Sequence, residues 1–265
     1  MKQNMKKWLS VLLLAAAPLV AHASEAGVHL DRAPVNLRDA ESLQRGAQTF
    51  ANYCLSCHGA AAMRYNRLQD LGLTEAQIQA NLMFASEKVG EPMRVAMQAA
   101  DGKAWFGATP PDLSLIARSR GADWLYTYLR TFYRDESRPT GWNNLVFPSV
   151  GMPHVLWELQ GQQVPVIKTV KNHETGKEEH HIASLKLEKP GLLTRVAENG
   201  SFDQADYDKR VGDLVNYLVY LGEPAKVKRE QIGYAVLLFL LFILVPISYF
   251  LKKEYWRDIH CVAPA

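Results

Sequence analysis

The stretch Tyr53-Cys54-Leu55-Ser56-Cys57-His58-Gly59 decides how the rest of the chain is read. Two thiols three positions apart, followed at once by an imidazole, form the attachment signature of a c-type haem. On one helical turn, side chains at i and i+3 lie on the same face, so Cys54 and Cys57 reach the two vinyl groups of one porphyrin. His58 then offers a ring nitrogen to the iron as proximal ligand. Other readings of a Cys-x-x-Cys pair fare worse. A zinc site needs a second ligand pair, and the only remaining cysteine is Cys261. His180-His181 sit in a lysine- and glutamate-rich stretch with no partner cysteine. A thioredoxin-like redox pair expects a preceding strand and gives His58 no role, whereas residues 43–53 read as helix. One covalently attached haem c is the cofactor this stretch implies.

Outward from that motif, residues 1–23 have the form of a secretory signal. Lys2, Lys6 and Lys7 are its basic region, Trp8 to Val20 its apolar run, and Ala21-His22-Ala23 a small-x-small cleavage site. Near the other end, Ile232 to Leu251 is 20 residues with no charged side chain. At 1.5 Å per residue it reaches about 30 Å, the thickness of a bilayer's hydrocarbon core. Pro246 is expected to kink it. Flanking lysines and arginines are balanced and give no orientation, so the signal decides. The expected organisation is a signal peptide at 1–23, a periplasmic c-type haem domain at 24–225, a linker and transmembrane helix at 226–251, and a cytoplasmic tail at 252–265. The protein is then a single-pass component of a bacterial inner membrane. The formal charge of +3 falls to zero without the signal's three lysines, and residues 24–225 carry about −3. That weak acidity argues against a nucleic-acid partner and is compatible with a basic redox partner.

Between the two ends the pattern is mainly α. An extended arm at 24–38 leads to a helix through Leu43, Ala47, Phe50 and Ala51, capped by Asp39 or Ser42. Met63 to Arg67 reads as loop or short helix, Thr74 starts a helix, and Pro92 to Ala100 reads as another. Gly102 to Pro111 reads as loop, Asp112-Leu113-Ser114 opens a helix, and a further one follows Gly121. Residues 134–153, with Pro139, Gly141, Pro148, Gly151 and Pro153, suit no regular element; a long ordered loop of this kind is often functional. Two apolar runs around Asn172 to Lys177 read as a charged β-hairpin inserted at 163–187. Val211, Leu214, Val215, Leu218 and Leu221 mark a strong helix, capped by Asp203 or Asp206 and stopped by Gly222 and Pro224. It is expected to cross the helix that precedes the haem motif.

A high-potential haem takes a thioether opposite its histidine. Met83 lies on a helical apolar pattern, Met93 and Met97 form an i, i+4 pair on an expected helix, and Met63 is too near His58 in sequence. Met152, between Gly151 and Pro153, is held extended by the proline. It leads from position alone, which leaves the choice open. Arg118 and Arg120 are candidates for the haem propionates, and Trp124, Tyr126 and Trp142 for the pocket wall.

Tyr-Cys-Leu-Ser-Cys-His, then Gly-Ala-Thr-Pro-Pro-Asp-Leu-Ser, then Gly-Met-Pro-His and one C-terminal span together resemble the cytochrome c1 family of quinol–cytochrome c reductase (bc1) complexes, in its bacterial form. The resemblance implies Cys54 and Cys57 in thioether bonds, His58 and Met152 as axial ligands, and Arg120 on a propionate. It implies a subunit without substrate chemistry that relays single electrons from a Rieske iron–sulfur protein to a soluble c-type cytochrome, beside cytochrome b in the bilayer. A stand-alone membrane-tethered electron shuttle is the alternative. Mitochondrial members carry an Ala-Met-Ala-Pro type ligand loop and acidic insertions; this chain has Gly-Met-Pro-His and the hairpin.

Overall fold

A computed structural model describes residues 28–171 and 178–260. The expected signal segment, Cys261 and the hairpin's turn at 172–177 lie outside those residues. The described fold is mainly helical, 47% helix, with small antiparallel hairpins and one long apolar C-terminal helix, which is the expected class.

Helix α1, Ala40–Tyr53, delivers the motif, and α7, Ala205–Gly222, crosses it. Asp39 caps α1 by accepting the Ser42 N–H at 3.0 Å, and Glu41 lies in the first turn, where the helix dipole favours an acid. The crossing is backbone on backbone: a Cβ on Gly46 would lie 2.1 Å from the Asp213 carbonyl oxygen and 2.6 Å from Tyr217 Cβ. Phe50 and Tyr217 close the contact with ring centroids 5.7 Å apart, and Arg45 Nε donates to the buried Asp213 carboxylate at 2.6 Å. On the same helix the buried Asn216 amide holds the N-terminal arm, accepting from Asn36 N–H at 3.0 Å and donating to Asn36 C=O at 2.9 Å. Of the two expected aspartates, Asp203 accepts the N–H of Ala205, the first residue of α7, at 3.0 Å. Gln204 occupies the cap position without a side-chain bond, and Asp206 is engaged by Arg195 at 2.7 and 2.8 Å.

The middle of the chain departs from expectation in three places. Met63 lies in a strand, β1 (Ala60–Arg64), which pairs with β2 (Pro92–Met93); Met93 is therefore a buried strand residue and forms no helical pair with Met97. Between these strands lie a 3-10 segment, Tyr65–Leu71, and α2, Glu75–Asn81, whose Thr74 and Gln77 form a reciprocal capping box. The stretch expected as loop from Gly102 is largely helix: α3 runs Ala99–Phe106. Its Gly102 is the residue that obscures it in sequence, and Pro110 packs there, with its Cδ 2.7 Å from where a Cβ would sit. After α4 (Ile116–Ser119) and α5 (Ala122–Arg130), the stretch 134–153 begins in a hairpin of β3, Phe132–Arg134, and β4, Trp142–Asn144.

A short helix α6 (Trp157–Gln160) leads into the inserted hairpin, β5 (Gly161–Lys171) with β6 (Glu178–Pro190), longer at its base than the apolar runs suggest. Gln163 Nε2 fastens that base by donating to the Arg130 and Phe132 carbonyls at 2.9 and 3.0 Å. A small pair, β7 (Arg195–Val196) and β8 (Phe202–Asp203), precedes α7. The span begins as α8, Lys226–Phe239, passes a π-helical turn at Leu240–Leu244, and ends as α9, Val245–His260. Lys226–Arg257 makes 32 continuous residues, long and apolar enough to cross a membrane, with none of its apolar window buried against the domain. Pro246 has no N–H to offer the preceding turn. The backbone responds with the π turn, in which the Val245 N–H reaches back to Leu240.

Candidate functional site

The motif sits where α1 ends. Its last turn continues through the Cys57 and His58 N–H groups, which donate to the Cys54 carbonyl at 3.1 and 2.8 Å. Cys54 is buried, Cys57 half-buried, and the two are not bridged. Burial pushes the Cys54 thiol up to about 12. It therefore stays a neutral thiol, unlike the depressed thiolates of redox pairs and zinc sites. Among the described residues no cluster of three His, Cys, Asp or Glu side chains with metal-site spacing forms around them.

The Pro110-Pro111-Asp112-Leu113-Ser114 segment docks along the chain leaving the motif, through one backbone pair and two short side chains that accept backbone N–H groups. Leu113 N–H donates to Gly59 C=O at 2.7 Å. Asp112 accepts the Ala61 N–H at 2.8 Å and the Ser114 Oγ accepts the Ala62 N–H at 3.0 Å. This alignment brings the Pro111 carbonyl 2.7 Å from His58 Nδ1. The proton of that bond resides on Nδ1, so Nε2 carries the lone pair. Burial holds His58 below its usual imidazole value despite the opposing pull of Pro111 and Asp112, so the ring is neutral at pH 7. A neutral imidazole oriented by a backbone carbonyl through one nitrogen is the arrangement of a metal-ligating histidine.

Met152 is half-buried on a loop whose shape is set by two asparagines of β4. Asn143 Oδ1 accepts the Ser149 N–H at 2.8 Å, holding Ser149 at φ +63. Asn144 Oδ1 accepts the Val146 and Phe147 N–H groups at 2.9 and 3.1 Å, and its Nδ2 donates to the Tyr128 carbonyl at 2.7 Å. The loop then meets the segment that ends in Pro111. A Cβ on Gly151 would stand 2.7 Å from the Phe106 carbonyl oxygen, so only glycine allows this approach. Met152 packs with Phe132, Trp142 and Val150, and the Tyr128 hydroxyl donates to its Sδ at 3.4 Å. Two residues on, His154 is buried between Phe132, stacked at 4.9 Å, and the edge of Trp142 at 5.1 Å. Burial lowers His154 to about 4, with the Gln160 amide opposing. Asn143, Asn144 and Tyr128 shape this loop. None of the three stands in a motif of the sequence, whereas His154 closes the Gly-Met-Pro-His run.

The structure separates the two arginine candidates. Arg118 reaches Glu223 at 3.9 Å and packs by α7's end at Gly222. Arg120 lies over the rings of Trp124, at 5.2 Å, and Phe147, at 5.9 Å. Trp124 in turn stacks on Tyr128 at 4.8 Å, so α5 connects Arg120 to the Met152 loop. Tyr126 does not join them: its ring takes the Arg130 guanidinium at 4.5 Å on the side of the N-terminal arm.

Whether these residues fit a haem can be judged from the donor set and the surface around it. Two unbridged thiols on one turn, a neutral imidazole oriented through Nδ1, the Met152 thioether and the Arg120 guanidinium are a donor set that could attach a haem, ligate its iron and meet a propionate. Leu115, Phe147 and Trp105, on the segments that adjoin these groups, leave 57%, 44% and 63% of their surfaces uncovered, an apolar surround for a flat hydrophobic group. The residues fit.

Comparison with known proteins points the same way. Residues 31–259 match the family described as the cytochrome C1 family. The chain is 50% identical over 256 residues to a Nitrosomonas europaea protein named ammonia monooxygenase gamma subunit, across 96% of this chain and 100% of that one. It is 47% identical over 257 residues to cytochrome c1 of Allochromatium vinosum, across 97% and 100%. To cytochrome c1 of Rhodospirillum rubrum it is 28% identical over 267 residues, across 90% and 92%.

Proposed function

This chain belongs to the cytochrome c1 family as a membrane-anchored, haem c-binding electron-transfer subunit, and we propose that it relays single electrons from a Rieske iron–sulfur protein to a soluble c-type cytochrome. In this reading Cys54 and Cys57 would hold the haem through thioether bonds, His58 Nε2 and Met152 Sδ would ligate its iron, and Arg120 would meet a propionate. A haem so held supplies a one-electron couple, and the His–Met donor pair sets it at high potential. The observation that carries the reading is the His58 Nδ1 bond to Pro111, 2.7 Å, which directs the lone pair to Nε2 and supports its use as the ligand nitrogen.

The protein's own work is positional. Backbone bonds fix the imidazole, the asparagine-organised loop presents the sulfur, and apolar side chains keep water from both. The apolar helix lies in the bilayer beside cytochrome b, and the domain stands on the periplasmic side, as the sequence pattern at 1–23 supports. Docking of the redox partners is small in area and sensitive to salt, as transient encounters are.

The test is the visible and near-infrared spectrum of the complex purified in mild detergent, with its subunit composition. Cytochrome b and Rieske subunits in the preparation, and a ferric sulfur-to-iron charge-transfer band that Met152→Leu abolishes together with a large fall in potential, are the expected results. A spectrum without that band, and free CO binding by the ferrous protein, would refute the ligand assignment. Absence of both partner subunits would favour the stand-alone tether. The N. europaea relative's name attaches such a chain to ammonia monooxygenase, and monooxygenase subunits in the preparation would move the relay to that complex.

A further inference from the structure

Tyr128 is held at both of its polar ends by the same loop. Its carbonyl accepts from Asn144 Nδ2 at 2.7 Å, and its hydroxyl donates to Met152 Sδ at 3.4 Å. Its ring is fixed between these ends. It stacks on Trp124 with centroids 4.8 Å apart and planes 11° apart, and meets Phe132 edge-on at 5.0 Å and 70°. A phenol on a rigid helix, clamped by two aromatic neighbours, is a directional donor with little freedom to turn away. Its hydrogen bond draws on the sulfur's lone-pair density.

We infer that Tyr128 is a positioning and tuning residue for the sulfur ligand, its hydroxyl holding Met152 Sδ in place and favouring the reduced state; this rests on Met152 being the sixth donor. A thioether stabilises an oxidised iron by giving it density, and a donor hydrogen-bonded to that thioether diminishes the gift. Hydrogen bonds of this second kind tune a metal's potential without touching it. The effect is modest, since sulfur is a weak acceptor. About half of a typical net hydrogen-bond contribution of roughly 1 kcal/mol corresponds to a two- to threefold change in the reduced-to-oxidised ratio.

Tyr128→Phe keeps the stack on Trp124 and removes only the hydroxyl. In the purified full-length protein within its complex, redox titration at the haem's visible band is expected to show a two- to threefold lower reduced-to-oxidised ratio at fixed poise, about 20 to 30 mV for one electron. The ferric near-infrared band should shift, and CO should bind the ferrous form faster. Incorporating 3-fluorotyrosine at position 128, a stronger donor, should move the ratio the opposite way, and this arm decides the matter if the phenylalanine variant does not assemble. A purely structural role would lower thermal stability while leaving ratio and band unmoved, and that result overturns the inference. A wild-type protein with no near-infrared band would overturn both this inference and the Met152 assignment beneath it. A wild-type band with an unmoved ratio in the variants overturns the inference alone.

Discussion

Asn144→Leu tests whether the ligand loop is shaped by one side chain. Asn144 is fully buried and makes three bonds to backbone: it accepts from Val146 and Phe147 N–H at 2.9 and 3.1 Å and donates to Tyr128 C=O at 2.7 Å. Leucine has similar bulk and can replace none of them. The Val146 N–H bond is buried and the other two partly so. Leaving the first unpaired costs about 1–3 kcal/mol, and each of the others about 1 kcal/mol, for a total of roughly 3–5 kcal/mol. Opening of the 145–151 segment returns those groups to water. The open population therefore rises by roughly 100- to 4000-fold, at about 1.4 kcal/mol per factor of ten. A whole domain commonly has about 5–15 kcal/mol, so the fold survives while the loop gives way. The expected result is a protein that keeps its covalent pigment on a denaturing gel, loses much of the ferric near-infrared band, and binds CO in the ferrous state. Asn144→Asp keeps the two accepted bonds, loses the donated one, and should fall between. An Asn144→Leu protein with the full band and no CO binding would refute the reasoning.

Two further expectations concern the frame. Gly46→Ala puts a methyl 2.1 Å from the Asp213 carbonyl oxygen, so α1 and α7 must part by more than an ångström. The strain, about 1–3 kcal/mol or more, outweighs the roughly 1 kcal/mol that alanine offers a helix; a lower urea midpoint and poorer haem incorporation should follow, and an unchanged midpoint would contradict the crossing. His154 is lowered to about 4 by burial, so the unfolded chain takes up its proton first as pH falls below about 6.5. The folded domain then loses stability down to about pH 4, on the order of 3 kcal/mol in all. His154→Phe should flatten the slope of urea midpoint against pH between 7 and 5, and equal slopes would show that His154 is not held neutral.

Local signals made part of this protein legible. The 3.6-residue periodicity of α1 and α7, the cap at Asp39 and the Cys54-x-x-Cys57-His58 run all depend on neighbours in sequence, and they could be read there. So could the 20-residue apolar span and the hairpin at 163–187. What escaped depends on distant partners. Strand β2 has two residues, and its state is set by pairing with β1, Ala60 opposite Met93 and Arg64 opposite Pro92; alone, Pro92 to Ala100 looks like a helix with Met93 and Met97 on one face. Gly102 suggests a break, yet it serves a helix because Pro110 must pack on it. Asn143 and Asn144 are common loop residues in sequence. Only the folded chain reveals that their side chains replace the ladder bonds that residues 146–149 lack.

The two halves of the site are held in different ways. The imidazole itself is fixed by a main-chain group, the Pro111 carbonyl, while the segment that carries Pro111 is fastened by the Leu113 N–H on Gly59 and by the Asp112 and Ser114 side chains, which accept the Ala61 and Ala62 N–H groups. The sulfur side hangs on side chains throughout, namely Asn143, Asn144 and Tyr128, and Tyr128 bonds the sulfur itself. Side-chain anchors can be changed one at a time, whereas the Pro111 carbonyl yields only to a change of backbone path. Single substitutions should accordingly reach the sulfur's geometry directly, and the imidazole only through Asp112 or Ser114. Helix α5 concentrates this sensitivity, because Trp124 beneath Arg120 and Tyr128 against Met152 stand one turn apart on it, so that a shift of that helix alters the cation and the thioether together.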